Sequence, residues 1–439
     1  MAQKSKADVS TPSIEFQSMS PVWQMIADVY AGSEALRQHG SVYIPQHHSE
    51  PSEAYAERLD NLVAFNFLRQ TVEELTGRTF SRDPVFDMSD DAAPWRDEFL
   101  PDVDHQKHAA PTFLRDWFAC GLKFGCAHLL IEPGVNRPRW RIIDPRDLFF
   151  AALDGNGDLS EIRYHRSVTA IDGFEEVKTP EIVRMTPELI EVYREDKEWA
   201  VHSTEANTLG RIPLVPFFIE REGILACEPP LRDLAELQIS HARKRSDLDT
   251  TLRVASFPML AVQGGSYDES QLIVGPHALI ELDPDSTAFY VEHTGTAVQI
   301  LMNDLKALEE RAATFGAQIT KKRPSVETAT GAVVNANSAL APLQGYALAF
   351  IEAVNEALAL TQEIWGQSTR PAFSMSIDFL APDSDAQSII RLRELGDISR
   401  IDALSELKRR GALSSAFDIE VNEERLESEG PIAANGDFA

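Results

Sequence analysis

Cysteine is the first scarcity. Three residues among 439, Cys120, Cys126 and Cys227, show no CxxC spacing, so neither a disulfide framework nor a zinc site is expected, and a reducing cytoplasm fits best. Long apolar runs are missing too: no stretch approaches the roughly 18 residues that would span a bilayer, and the opening MAQKSKADVSTPSIEF has no apolar core behind its lysines. Secretion and membrane insertion are therefore not expected. Positive charge is the third shortage. Lys and Arg total 41 against 69 Asp and Glu, a formal charge of −28. Non-specific nucleic-acid binding comes from cationic side chains neutralising phosphates, so this chain is not expected to grip DNA over a broad surface. Contact through a small basic element stays open.

Catalytic signatures are also lacking. No GxxxxGK[ST] is present, which excludes a P-loop ATPase, and there is no GxSxG or HExxH. Three acidic stretches invite a metal reading. DVDHQKH gathers Asp102, Asp104, His105 and His108 but lacks a further ligand at a known spacing, and a polar loop before a helix is preferred. DGNGDLSE puts Asp154, Asn156 and Asp158 where a calcium loop begins, yet Leu159 replaces the glycine and His165 the terminal glutamate, so a turn between strands is expected. IDPRD at 143–147 has no ExK to complete a nuclease site. His47 and His48, between Pro45 and Pro51, read as an exposed loop. No catalytic residue, metal or cofactor is assigned.

What is present is a mainly helical α+β chain. Length alone suggests two or three folding units. Residues 1–18 and 429–439 are polar without periodicity and read as tails. A helix is expected after Ser20, with Pro21 at its first position and Gly32 beyond its end; others are expected at 53–76 and 112–125. From 126 to about 220, CAHLLIEPG, RWRIIDP, EIRYHRS, IEVYREDKEWAVH and PFFIERE read as short antiparallel strands. Helix returns at 228–255, a small β module with Gly-Gly, Gly-Pro and Asp-Pro turns follows, and a strand alternates through Phe373, Met375, Ile377 and Phe379. Two helices, 384–395 and 400–410, close the ordered chain.

The strongest periodicity lies in Val298, Leu301, Leu305, Leu308, Ala312, Phe315 and Ile319, spaced alternately three and four apart. That is a narrow seam suited to packing against another helix. The stretch KKRPSVETATGA follows, and a second long helix is expected over 337–366, with Leu340, Leu343, Ala347, Phe350, Ile351, Val354, Leu358 and Trp365 on its buried side. Lys321, Lys322 and Arg323 have two readings. One is a contact with phosphates, aided by Thr328 and Thr330. The other is complementation of the helix macrodipole by about 0.3 to 1 kcal/mol. A second basic cluster, Arg243, Lys244 and Arg245 within HARKR, reads as a solvated face paired with acids such as Asp247 or Asp249 or those of a neighbouring chain, or else as a contact with DNA.

The order of these parts, with PPLRDLAELQISHARKRSDLDTTLRVASFP, LEERAATFGAQITKKRPSVETATGA, SALAPLQGYALAFIEAVNEAL and GDISRIDALSELKRRGAL, resembles the portal proteins of tailed bacteriophages across roughly residues 20–428. The resemblance implies a non-enzymatic protein forming a ring, usually of twelve copies, at one capsid vertex. The same resemblance implies a conduit for double-stranded DNA in packaging and ejection, and a docking platform for terminase and a head-tail adaptor, beside major capsid and scaffolding proteins. It implies a virion protein assembled in the host cytoplasm, with no membrane partner. It also implies a wing at 19–228, stem helices at 229–255 and 297–320 around a clip at 256–296, a tunnel loop at 321–336, a long bent helix and return strand at 337–383, and a crown at 384–428. The alternatives are a non-conducting capsid-associated or tail-adaptor structural protein and, from a different class, a metal-dependent nuclease.

Overall fold

The computed structural model describes residues 8–256, 259–263, 287–291, 295–317, 329–377, 386–409, 412–413, 417 and 419–429. It divides into two compact units, one of residues 1–26, 70–232 and 316–439, the other of residues 27–69 and 233–315.

The larger unit begins with helix α1 (Ile14–Ala31), which starts seven residues ahead of its expected first position, Pro21. Ser13 is the reason: its hydroxyl accepts the Phe16 N–H at 3.2 Å, an N-cap. Glu15, inside the supposed tail, accepts the N–H groups of Leu225 and Ala226 at 2.7 and 3.2 Å. Helix α6 (Ala110–Phe124) ends at Gly125, whose φ of 83° is the left-handed cap glycine adopts freely. A Cβ there would also lie 2.9 Å from the Glu228 carbonyl oxygen.

Two antiparallel sheets follow. Strand β2 (Cys126–Glu132) lies between β3 (Arg139–Ile143) and β9 (Leu214–Phe218). The second sheet is the meander β4 (Leu148–Leu153), β5 (Leu159–Asp172), β6 (Glu175–Met185), β7 (Leu189–Asp196) and β8 (Glu198–Ala206). The sequence reading omitted β4 and β6 and ran β7 and β8 together, whereas Asp196 and Glu198 flank a turn at Lys197, which takes a positive φ of 72°. Alternation decides the faces. Ile162, Tyr164, Val183 and Met185 join Leu130, Ile143, Leu148 and Leu214 in one core. At the edge of that face Glu181, 1% exposed, accepts hydrogen bonds from both Arg166 and Arg194. On the opposite face Arg184 bridges Glu161 and Glu191 at 2.8 and 2.6 Å.

The core between α6 and helix α9 (Ala329–Trp365) is aromatic. Phe350 has Phe217, Trp117, Phe118, Phe80 and Phe373 around it, ring centroids 5.0 to 6.4 Å away. The buried indoles find acceptors, as such groups must: Trp140 donates to Thr361 Oγ1 at 2.8 Å, Trp95 to the Thr369 carbonyl at 2.8 Å and Trp23 to that of Phe124 at 3.0 Å. Of the residues assigned to the buried side of α9, Leu343, Ala347, Phe350, Val354 and Leu358 are buried. The helix begins at Ala329 instead of 337, so Thr330 and the rest of 329–336 are helical. A short strand β12 (Ala372–Ser374) pairs with β1 (Val85–Asp87). Helices α10 (Ala386–Leu395), α11 (Arg400–Arg409) and α12 (Ile419–Glu429) follow; the last falls where no helix was expected.

The helix expected at 53–76 is two, α4 (Ser52–Asp60), in the smaller unit, and α5 (Phe67–Thr79), whose residues from 70 on belong to the larger. The break has its own chemistry: Asn66 caps α5 by accepting the Arg69 N–H at 2.9 Å and donates to the Tyr30 carbonyl at 2.8 Å. The smaller unit's long members are α7 (Arg232–Ala255) and α8 (Thr296–Ala317), with strands β10 (Met259–Gln263) and β11 (Thr287–Val291) paired antiparallel between them in sequence.

Candidate functional site

Helices α7 and α8 hold the residues that sequence periodicity and charge singled out. They run antiparallel, because His241 meets Glu309 at 3.2 Å while Lys244, one turn further along α7, meets Asp304, an earlier residue of α8. On α8, Leu305 and Ala312 are buried, and Val298, Leu301, Leu308 and Phe315 are half-buried, with Ile300, Met302 and Glu310 between them exposed. Ile319 lies outside the described residues.

Each member of the second basic cluster has a partner within the chain. Arg243 donates to the backbone carbonyls of Tyr43 and Val42, Lys244 pairs with Asp304, and Arg245 pairs with Asp249 at 3.2 Å. Asp247 takes His47 at 3.1 Å. These pairs are largely solvent-exposed, so each contributes at most about 1 kcal/mol. Their consequence is electrostatic: the cluster is not an open cationic patch.

The remaining anchors escaped the sequence reading. Gln238, fully buried on α7, accepts the Leu68 N–H at 2.9 Å and donates to the Val29 carbonyl at 3.1 Å. Arg58 grips Glu50 with two hydrogen bonds of 2.7 Å and reaches the Pro45 carbonyl at 3.0 Å. That bidentate partner, with burial opposing it, lowers Glu50 to about 2. Nearby, burial and a 2.8 Å hydrogen bond to Asp28 push the Tyr43 phenol well up. The buried His241 imidazole stands edge-on to Phe65 and Phe67, at 5.7 and 5.2 Å. A signal for it existed: Leu234, His241 and Leu248 repeat at sevens, so the buried stripe of α7 passes through the histidine.

In the larger unit the loops weighed for metals are closed upon themselves. Asp104 accepts the Gln106 N–H at 2.8 Å and meets His108 at 2.7 Å, and Asp102 accepts the Lys107 N–H and an Arg137 N–H, both at 2.8 Å. His105 and Lys107 take positive φ of 63° and 68° to make the fold of that loop. Asp154 caps its own turn through the Asn156 and Asp158 N–H groups. Asp147 rises to about 6, through burial and then the charge of Asp144, which is itself paired with Arg146 at 2.9 Å. Among the described residues no three or more His, Cys, Asp or Glu side chains come together as a metal site, and no helix is long and apolar enough to cross a membrane.

Lys321, Lys322, Arg323 and Thr328 lie outside the described residues, and Thr330 is placed only as part of the α9 backbone.

A family model described as phage portal protein, SPP1 Gp6-like, matches residues 21–244, just over half of the chain. A second, a domain of unknown function (DUF4055), matches residues 230–365. The chain defined by these helices and sheets is therefore a portal-type, virion-associated structural protein. It belongs to the phage portal protein family of the SPP1 Gp6-like kind. Solved structures similar to it include a chain of the virion of a native gene transfer agent particle, 14% identical, covering 86% of this chain and 98% of that one, with a TM-score of 0.47. A chain from the neck of the native particle, computed with C12 symmetry, is 12% identical over 77% of this chain and 88% of that one, at 0.43. No curated protein matches the sequence.

Proposed function

We propose that the chain assembles head to tail into a ring, of twelve copies on the family pattern, that conducts double-stranded DNA through a capsid vertex and receives terminase and a head-tail adaptor. Family membership supports this reading. The observation that carries it within the chain is the antiparallel α7 and α8, cross-linked by His241 with Glu309 and by Lys244 with Asp304, with the β10–β11 pair between them in sequence. In this reading they are the stem, β10 and β11 belong to the clip, residues 19–228 form the wing, and 384–428 form the crown. A heterologous interface that closes on itself suits identical chains around an axis.

The charge distribution adds a division of labour. With Arg243, Lys244 and Arg245 engaged inside the chain, Lys321, Lys322 and Arg323 are the basic group assigned to phosphates. A predominantly acidic surface elsewhere lets a polyanion pass without a deep binding minimum. Replacing all three by Ser is expected to leave ring formation unchanged and to lower the DNA retained in particles several-fold. Intact rings with undiminished packaging would remove the triplet from DNA contact.

A further inference from the structure

Within the larger unit the β5–β6 hairpin outruns its sheet. The two strands pair from Ile162 with Met185 out to Asp172 with Glu175, but β7 accompanies β6 only from Met185 to Glu181, and β4 accompanies β5 only as far as Tyr164. Beyond those points the ribbon is two strands wide, an arrangement with little stability of its own in water. From Glu181 to Glu175 it extends about 20 Å at the usual rise of ~3.3 Å per residue. Its two-residue turn, Gly173 and Phe174, has a positive φ of 64° at the glycine, the geometry that twists with the strands. The turn presents Phe174, fully exposed, with Ile171 and Val177 exposed behind it and the exposed Glu175 and Glu176 beside it. An aromatic ring at the end of an acidic arm has no role in the chain's own core.

The same unit carries a concavity of complementary character. His105, Pro133, Gly134, Val135, Arg137 and Arg139 line an open hollow of about 440 Å³. Its charge is under-neutralised. The three arginines in and beside it face two carboxylates: Arg139, in its lining, and Arg141, next to it, share Glu132 at 2.6 and 3.4 Å, and Arg137 donates through Nη2 to Asp102 while its buried Nη1 has no hydrogen-bond partner. In a chain of net charge −28, such a cationic hollow with an apolar lip is a specific place for an acidic, aromatic-tipped element. Guanidinium groups also favour the face of an aromatic ring. Gly134 lets the loop close on itself at the rim, since a Cβ there would stand 2.1 Å from the Arg137 carbonyl oxygen.

We infer that Phe174 at the hairpin tip of one copy seats in the hollow lined by Val135, Arg137 and Arg139 of the next copy. The inference rests on the ring reading and adds to it the contact that joins neighbours. Tip and hollow are different surfaces of the same chain, so the contact is heterologous and repeats around a ring instead of closing a two-fold pair.

The test uses the full chain in two single-substitution variants, Phe174→Cys and Val135→Cys, both at fully exposed positions. Mixed and oxidised with a disulfide reagent, they are expected to give a covalent dimer on a non-reducing gel, and neither variant alone is expected to do so. In parallel, Phe174→Ala is expected to raise the concentration needed for assembly about tenfold without moving the melting temperature of the unassembled chain, and added salt is expected to weaken wild-type assembly. Rings from the wild-type chain with no cross-link in the mixture, and with Phe174→Ala assembling normally, would overturn this contact and leave the ring reading standing. Cross-linking of Phe174→Cys with itself would overturn it in favour of a two-fold contact. A wild-type chain that stays monomeric at all concentrations would overturn both.

Discussion

Each of the two units has its own kind of interior. In the larger, side chains of α6, α9, β9 and β12 meet ring against ring around Phe350, and buried indoles reach specific acceptors. In the smaller, the long helices α7 and α8 are joined by the pairs His241–Glu309 and Lys244–Asp304, with Leu305 and Ala312 of α8 buried, and Arg58 clasps Glu50. A packed aromatic core stabilises a fixed scaffold. A helix pair with an apolar seam half-open to solvent is suited to gaining further neighbours, as a stem within a ring requires.

The sharpest way to break the comparison is to cut a ring from the larger unit. Phe350→Ala is expected to destabilise the chain by about 3 to 5 kcal/mol, since a fully buried aromatic is removed from between five others. Thermal denaturation that leaves that unit's transition unmoved would show the cluster to be incidental.

Acid is expected to separate the units next. Burial, with the nearby charge of Arg221, lowers His128 in β2 to about 4 from 6.5, and neither ring nitrogen has a hydrogen-bond partner. A group depressed in the folded state is stabilising above its ordinary pKa and loses that contribution as pH falls towards the folded one. The larger unit should therefore weaken between about pH 6.5 and pH 4, by an amount on the order of 2 to 3 kcal/mol, and His128→Leu should flatten that segment of the profile. Glu50, lowered from 4.5 to about 2, obeys the same sign in the smaller unit over the more acid window. Chemical denaturation across pH 7 to pH 3 checks the order; a smaller unit that fails first contradicts it.

The smallest effect is expected between α7 and α8. Lys244→Ala removes one exposed ion pair and should cost no more than about 1 kcal/mol. A loss of several kcal/mol, measured by urea unfolding, would mean that the pair does more than trim the edge of the seam.

Periodicity carried most of what could be read beforehand. On α8 the described positions spaced three and four apart, Val298 to Phe315, are withdrawn from solvent, and on α9 Leu343, Ala347, Phe350, Val354 and Leu358 are buried, because burial by a helix face leaves a repeat in the sequence. Local exceptions were harder to see. Pro21 suggested a helix start because proline favours that position, yet the Ser13 cap lies about two turns earlier and the proline is carried inside α1. Phe65 and Phe67 made 53–76 look like one continuous helix, whereas Asn66 between them caps a new one. Arg245 meets Asp249, the i,i+4 acid its sequence neighbourhood offered, but the partners of Arg243 and Lys244, the Tyr43 and Val42 carbonyls and Asp304, lie far away in sequence and leave no local pattern. Nor does the approach of Arg58 to Glu50, which depends on how a loop turns back.

The central claim is that this chain surrounds an axial channel with α7 and α8 beside it. Electron microscopy of the purified assembly tests it most directly. The account predicts a closed ring of copies whose central hole admits a DNA duplex, with the α7 and α8 pairs of adjacent copies packed side by side around it. A monomer, an open filament, or a ring whose hole is too narrow for a duplex would contradict it.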